Sequence, residues 1–308
     1  MESVSGCQRI QHAPSPRCLS DLYAQLIRCL LKFAVVIQFT TDKRPKSTAN
    51  LRRQRIHAAY SVRPYRTGVV APIMLPAPPL YLTLHASVNP DSDNLAAALA
   101  RHQIELPAAQ VALLEQYCTL LWEWNAKLNL TRHTDFEKFV TRDLIDTLAI
   151  SRFLQPGEKV LDVGTGGGVP GVVLAILRDD LEISLSESIA KKARAVTDII
   201  ERLGLKLPMH HARAEDVLAE HRFTTLVVRA VARLEKLLQW FKPHWAAFDR
   251  MLVLKGPAWT EERAEARHRG LLHDLALRNL ASYPLPGTDS ESVLLLICRK
   301  ENLGRWEA

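Results

Sequence analysis

The sequence predicts an α/β fold: a doubly wound, seven-stranded, mostly parallel sheet with an antiparallel last strand, preceded by a small helical cap. Three observations predict it. Short apolar runs alternate with helical segments after Gly157, a glycine-rich turn follows the first run, and the last two runs are joined by a link too short for a helical crossover.

At 308 residues the chain can bury a core without covalent staples. Its amino-terminal part stands apart. Residues 1–87 hold 12 Lys and Arg against 3 Asp and Glu, and residues 88–308 hold 28 against 30. The net charge of +7 is therefore +9 from the first segment and −2 from the rest, so overall basicity is no evidence for a nucleic-acid partner of the remainder. The first segment carries Arg52-Arg53-Gln54-Arg55 and Pro76-Ala77-Pro78-Pro79 but no period of 3.6 or 2.0. It is expected to be a disordered basic, proline-rich extension. It reads either as a tail that touches RNA or as sequence ahead of a true start near Met74 or Val88, and the absence of any motif favours the latter.

The most apolar early stretch, 19–39, is broken by Asp21, Arg28, Lys32 and Gln38, which is incompatible with a membrane span, and it lacks the order of a secretory signal. Cys7, Cys18, Cys29, Cys118 and Cys298 form no CxxC pair and no zinc-ligand spacing. Free thiols, no metal and a cytoplasmic location are expected.

Residues 88–156 form the predicted cap. Pro107 suits a first helical position, and Val111, Leu114, Tyr117, Leu121, Trp124 and Leu128 then recur at three- and four-residue steps. A second amphipathic helix is expected over 135–153, with Phe136, Phe139, Val140, Leu144 and Leu148 inward, stopping at Pro156-Gly157. The remainder, 157–308, is the α/β domain. Strands are expected at 159–163, 181–186, 208–212, 224–229 and 250–255, with helices at about 170–178, 188–203, 230–241 and 261–275. The closing strands, 278–283 and 291–299, are joined at Pro284-Leu285-Pro286-Gly287 and suit an antiparallel pair.

The chemistry sits in Val160-Leu161-Asp162-Val163-Gly164-Thr165-Gly166-Gly167-Gly168-Val169-Pro170-Gly171. Glycines let backbone approach a ligand closely, and strand ends at the switch point of an open sheet form the crevice where ligands bind. Asp162 would place a negative charge near a cationic ligand, such as the sulfonium and amino group of S-adenosylmethionine. Gly166-x-Gly168-x-x-Gly171 also matches a dinucleotide fingerprint, a weak signal by itself. Against it stand Asp162, Pro170 within the turn and the antiparallel tail. Glu187, at the end of the next strand, suits the ribose of either cofactor. The motif and tail together favour a class I, Rossmann-like S-adenosylmethionine-dependent methyltransferase.

Over 105–256 the chain resembles the small-subunit ribosomal RNA methyltransferase G family, also called glucose-inhibited division protein B. The resemblance rests on Trp124-Asn125, Asn129-Leu130-Thr131, Arg142 with Asp146-Thr147-Leu148, the glycine turn, Glu187-Ser188 with Lys191-Lys192, Arg213-Ala214-Glu215, Arg229-Ala230 and Leu254-Lys255-Gly256. It implies methyl transfer from S-adenosylmethionine to N7 of a guanine in 16S ribosomal RNA, free or in the small ribosomal subunit particle, and a monomeric enzyme is expected. It also implies cofactor contacts at Gly164, Val169, Ala214, Glu215 and Arg229, beside Asp162, Gly166 and Glu187 read from the motif. Departures are Asp143 where the family usually has His, Val169 where a larger apolar residue is common, and Thr224 and Val228 where Asp and Ser are usual.

Asn125, Asn129, Arg142, Lys191, Lys192 and Lys255 are the candidate RNA contacts. Bland readings stand beside them. Asn125, Asn129 and Thr131 suit loop hydrogen bonds, the two lysines a solvated helix face, and Arg142 with Asp146 an i,i+4 pair worth about 0.2–0.5 kcal/mol. Arg229 fits the cofactor, a phosphate or an ion pair. Trp122 and Trp124 point apart on their helix, so one is available to stack on a base, while Trp124 suits the core. Guanine N7 carries a lone pair and no proton, so no catalytic base is expected and positioning is the main task, an effect worth roughly 7–11 kcal/mol in oriented reactions. The rival functions are methylation of another RNA, a protein or a small molecule, and cofactor binding without turnover.

Overall fold

The computed structural model describes residues 93–306, and the expectations for residues 1–87 lie outside them. Helix α1 (Leu95–Arg101) starts where the Asn94 side chain accepts the Ala97 amide at 2.8 Å. Helix α2 (Ala108–Asn125) follows Pro107, which takes the N-cap position, one residue before the expected first turn.

The second amphipathic stretch is three pieces: α3 (Phe136–Lys138), a π-helical segment (Phe139–Leu144) and α4 (Ile145–Ser151). Asp135 caps it, its Oδ1 accepting the Lys138 amide at 2.7 Å. The π segment was not foreseen, and it has a consequence for pairing. A wider turn displaces the i,i+4 alignment, so Arg142 and Asp146 do not pair. Arg142 instead donates to the Thr141 carbonyl, while Asp146 is buried.

The sheet comprises β1 (Lys159–Val163), β2 (Glu182–Ser186), β3 (Met209–His210), β4 (Thr225–Arg229), β5 (Arg250–Lys255), β6 (Leu275–Pro284) and β7 (Glu291–Arg299). Their order is β3-β2-β1-β4-β5-β7-β6. The first five run parallel, and β7 pairs antiparallel with both β5 and β6. Between them lie α5 (Gly171–Leu177), α6 (Ala190–Arg202), α7 (Ala214–Glu220), α8 (Leu234–Phe241) and α9 (Trp259–His268), and α10 (Leu303–Trp306) follows β7. Helix α7 is not among the elements expected from the sequence. Helix α9 stops well short of residue 275, because Gly270 turns the chain at φ +69° and β6 begins three residues earlier than expected.

Alternation along the strands sends side chains to opposite faces. Val160, Leu252, Leu254, Leu294 and Leu296 join one apolar cluster with the cap helices, α5 and α6. Leu161, Val163, Met251, Val253 and Leu295 join the other with α7 and α8. The cap thus packs into the same core as one face of the sheet. At the amino-terminal edge of the parallel strands, Glu158 and Arg250 form a buried ion pair at 2.7 Å that also holds Thr225. The opposite edge, where the strands end, is left for the site. Among the described residues no helix is long and apolar enough to cross a membrane, and no group of His, Cys, Asp and Glu could hold a metal ion.

Candidate functional site

The chain leaves β1 through Gly164 and Gly166, both in the left-handed region at φ +65° and +61°, where a side chain would be strained. Gly164 is exposed, so its bare backbone lies open at the strand ends. Asp162 gives the turn its shape. Its Oδ2 accepts from the Thr165 hydroxyl at 2.6 Å and from the Gly171 amide at 2.9 Å, and the Thr165 amide donates to the Ser186 carbonyl at 2.9 Å.

Asp162 is only 1 % exposed, which corrects the expectation that it presents its charge to a ligand: it bridges the two ends of the turn. Burial pushes its pKa from an ordinary 3.8 up to about 6, outweighing the hydrogen bonds from Thr165 and Gly171 that lower it. Between pH 4 and 6 the folded chain therefore binds more protons here than the unfolded one, and this group's contribution to stability falls as pH rises. Relative to the parent, Asp162→Asn is expected to gain about 2 kcal/mol between pH 4.5 and pH 7, read by urea unfolding at both. An unchanged difference between parent and variant at the two pH values would show that Asp162 titrates normally.

Glu187 closes β2 and is 6 % exposed. Its Oε2 accepts the Gly166 amide at 3.1 Å and its Oε1 the Ile189 amide at 2.8 Å, which leaves each oxygen further lone-pair capacity for a diol. Ile189 beside it is half exposed, an apolar side chain at the crevice that sequence reasoning did not select. After β3, Ala214 and Glu215 open helix α7, the first buried and the second half-buried. Val169 is half-buried in the turn.

Arg229, at the end of β4, is held by two carboxylates of the cap: Nη2 meets Asp143 Oδ1 at 2.6 Å and Nε meets Asp146 Oδ2 at 3.0 Å. His133 donates through Nδ1 to Asp143 at 2.9 Å, and the Tyr283 hydroxyl, from β6, donates to Asp146 at 2.7 Å. The ion pairs of Arg229 are buried rather than superficial. Ala230 next to it takes φ +55°, a strained conformation for a residue with a Cβ, as is common at functional strand ends.

The candidate RNA contacts divide. Lys255 is only 10 % exposed, bonded to Glu262 at 2.7 Å and to the Ala232 carbonyl at 2.6 Å, so it fastens α9 to the loop after β4. Asn125 spends its Oδ1 on the Leu130 and Thr131 amides, at 2.8 and 3.0 Å, shaping the loop that carries Asn129. Asn129 and Lys191 are exposed and Lys192 is half-buried at the start of α6. Both half-buried tryptophans have their N–H taken, Trp122 by the His133 carbonyl and Trp124 by Asp198. Val228 is buried, so this departure from the family pattern does not reach the crevice.

The dinucleotide alternative fails on topology. A dinucleotide sheet continues in parallel order through its sixth strand, whereas here β7 inserts antiparallel between β5 and β6. Bare glycine backbone, an anchored carboxylate and an exposed apolar side chain at adjoining strand ends suit a nucleoside that carries a charged tail. The molecule is of the class of S-adenosylmethionine-dependent methyltransferases.

Relatives agree. The family profile described as rRNA small subunit methyltransferase G matches residues 110–284. A protein of that name from Rhodopirellula baltica is 49 % identical over 188 residues, 61 % of this chain and 81 % of the relative. Its namesake in Pseudomonas aeruginosa is 34 % identical over 209 residues, 68 % of this chain and 95 % of the relative. The chain belongs to the ribosomal RNA small subunit methyltransferase G family.

Proposed function

We propose that this enzyme transfers the methyl group of S-adenosylmethionine to N7 of a guanine in 16S ribosomal RNA, as a monomer in the cytoplasm, on the RNA or on the small ribosomal subunit particle. The observation that carries the reading is the crevice at the ends of β1 and β2, in a chain whose relatives are named ribosomal RNA small subunit methyltransferases. When bound, the cofactor supplies an electrophilic methyl group. The protein's own residues bind and orient. Gly164, Gly166 and Val169 offer backbone and a small apolar surface, Glu187 accepts from the ribose, Ile189 covers the base, and Ala214 and Glu215 close the far side.

Residues 88–156 act as the cap and 157–308 as the methyltransferase domain. Asn129, Lys191 and Lys192 are the contacts to RNA, the lysines meeting phosphates in a salt-dependent way. Arg142, half-buried at the π segment, is the further candidate. Because N7 has no proton to lose, no side chain need act as a base, and rate comes from alignment. The full chain with methyl-labelled cofactor and unmodified small-subunit RNA or particles is expected to label one guanine, located by strand scission at N7-methylguanine. Label spread over many bases, or none on either substrate, would refute the reading.

A further inference from the structure

We infer that Tyr117, on the cap helix α2, is a positioning residue for cofactor binding, because its hydroxyl donates to the Gly167 carbonyl and thereby fixes the central peptide of the glycine turn. The inference rests on the cofactor site proposed above.

The peptide between Gly167 and Gly168 is flanked by residues without side chains, so little intrinsic preference sets its orientation. Two hydrogen bonds do. Its N–H donates to the Thr165 carbonyl at 2.9 Å, within the turn itself. Its carbonyl accepts from Tyr117 at 2.9 Å, across 50 residues of sequence. Tyr117 is fully buried, and burial holds its phenol well above the usual range, so it stays protonated and able to donate.

The cap also presses on the turn sterically. A Cβ placed on Gly167 would lie 2.9 Å from Leu121 Cδ1 and 3.6 Å from Leu130 Cβ. Leu130 is itself held by Asn125 through its amide. On the other side, Gly166 is tethered to Glu187. The turn is therefore moulded between β2 and the cap, and the Tyr117 hydroxyl is the polar tie on the cap side.

Tyr117→Phe keeps the ring and removes the donor, leaving a buried carbonyl unpaired unless the peptide rotates. Calorimetric titration of S-adenosylmethionine into the full chain is expected to show the dissociation constant rising about tenfold in the variant. The KM for cofactor is expected to rise in step, with kcat at saturating cofactor and the KM for RNA within about twofold of the parent. Phe139→Leu loosens the packing around the Tyr117 ring, from whose centroid the Phe139 ring centroid lies 6.1 Å away, and keeps the hydroxyl. It is expected to lower the melting temperature while leaving cofactor affinity within about twofold. Equal affinity of parent and Tyr117→Phe, a proportional loss of kcat with unchanged cofactor KM, or an equal affinity loss in Phe139→Leu would each overturn the inference. A parent chain that fails to bind S-adenosylmethionine would sink the underlying site and the inference with it.

Discussion

Arg229→Ala is expected to destabilise the enzyme by about 3–5 kcal/mol, the usual cost of removing one partner from a buried ion pair. Asp143 and Asp146 have side chains only 3 % and 10 % exposed, and Arg229, itself 18 % exposed, is the guanidinium between them. Removing it leaves two carboxylates facing each other in the core, with His133 and Tyr283 as remaining donors. In a chain of this size that loss corresponds to a fall in melting temperature of roughly 6–20 °C. Thermal and urea unfolding read it directly. Arg229→Met combined with Asp143→Asn and Asp146→Asn is expected to recover most of the loss, because the cost lies in the uncompensated charge rather than in missing packing. A single Arg229→Ala variant that melts with the parent would show that water reaches this cluster and that the cap is not fastened to β4 by charge.

The same cluster marks the limit of what the sequence discloses. The glycine turn and the strand before it were legible because their signals are local: an apolar run, an acidic residue near its end, then glycines, with β1 buried at every position after Lys159. The partners of Arg229 are not local. They lie 83 and 86 residues earlier, on a helix whose π segment shifts Asp146 out of its expected pairing with Arg142. The partners of Lys255 are hidden from the sequence for a related reason. A lysine that closes a buried strand looks like a cation at the crevice, and only the packing of α9 brings Glu262 to it. Asp162 stands in the local motif, yet its service to the turn depends on the amide of Gly171 folding back nine residues later. Tyr117 carried a signal that went unused: a hydroxyl on the otherwise apolar stripe of α2 needs a buried acceptor.

Gly171→Ala is the substitution expected to damage the cofactor site most. Its Cβ would stand 2.1 Å from Leu185 Cδ2, 2.7 Å from Asp162 Oδ2 and 2.9 Å from Asp162 Cβ. The Leu185 methyl is the end of a rotatable side chain, but Asp162 is fixed by its bond to the Gly171 amide itself and by Thr165. Accommodation therefore has to move α5 away from β1 or break the bridge across the turn, and either displaces Gly164 and Gly166. Overpacking of this kind costs about 1–3 kcal/mol in stability. Cofactor affinity is expected to fall by more than about tenfold, since sub-ångström placement of the backbone is what the turn provides. Gly304→Ala, where an added Cβ meets nothing within 4 Å, serves as the comparison and is expected to leave cofactor affinity unchanged. Parallel melting curves and titrations with S-adenosylmethionine distinguish the two. If Gly171→Ala were to bind cofactor as tightly as Gly304→Ala, the bridge from Asp162 would be a feature of folding alone, and the ligand would have to be held by the ends of β2 and β3 without the turn.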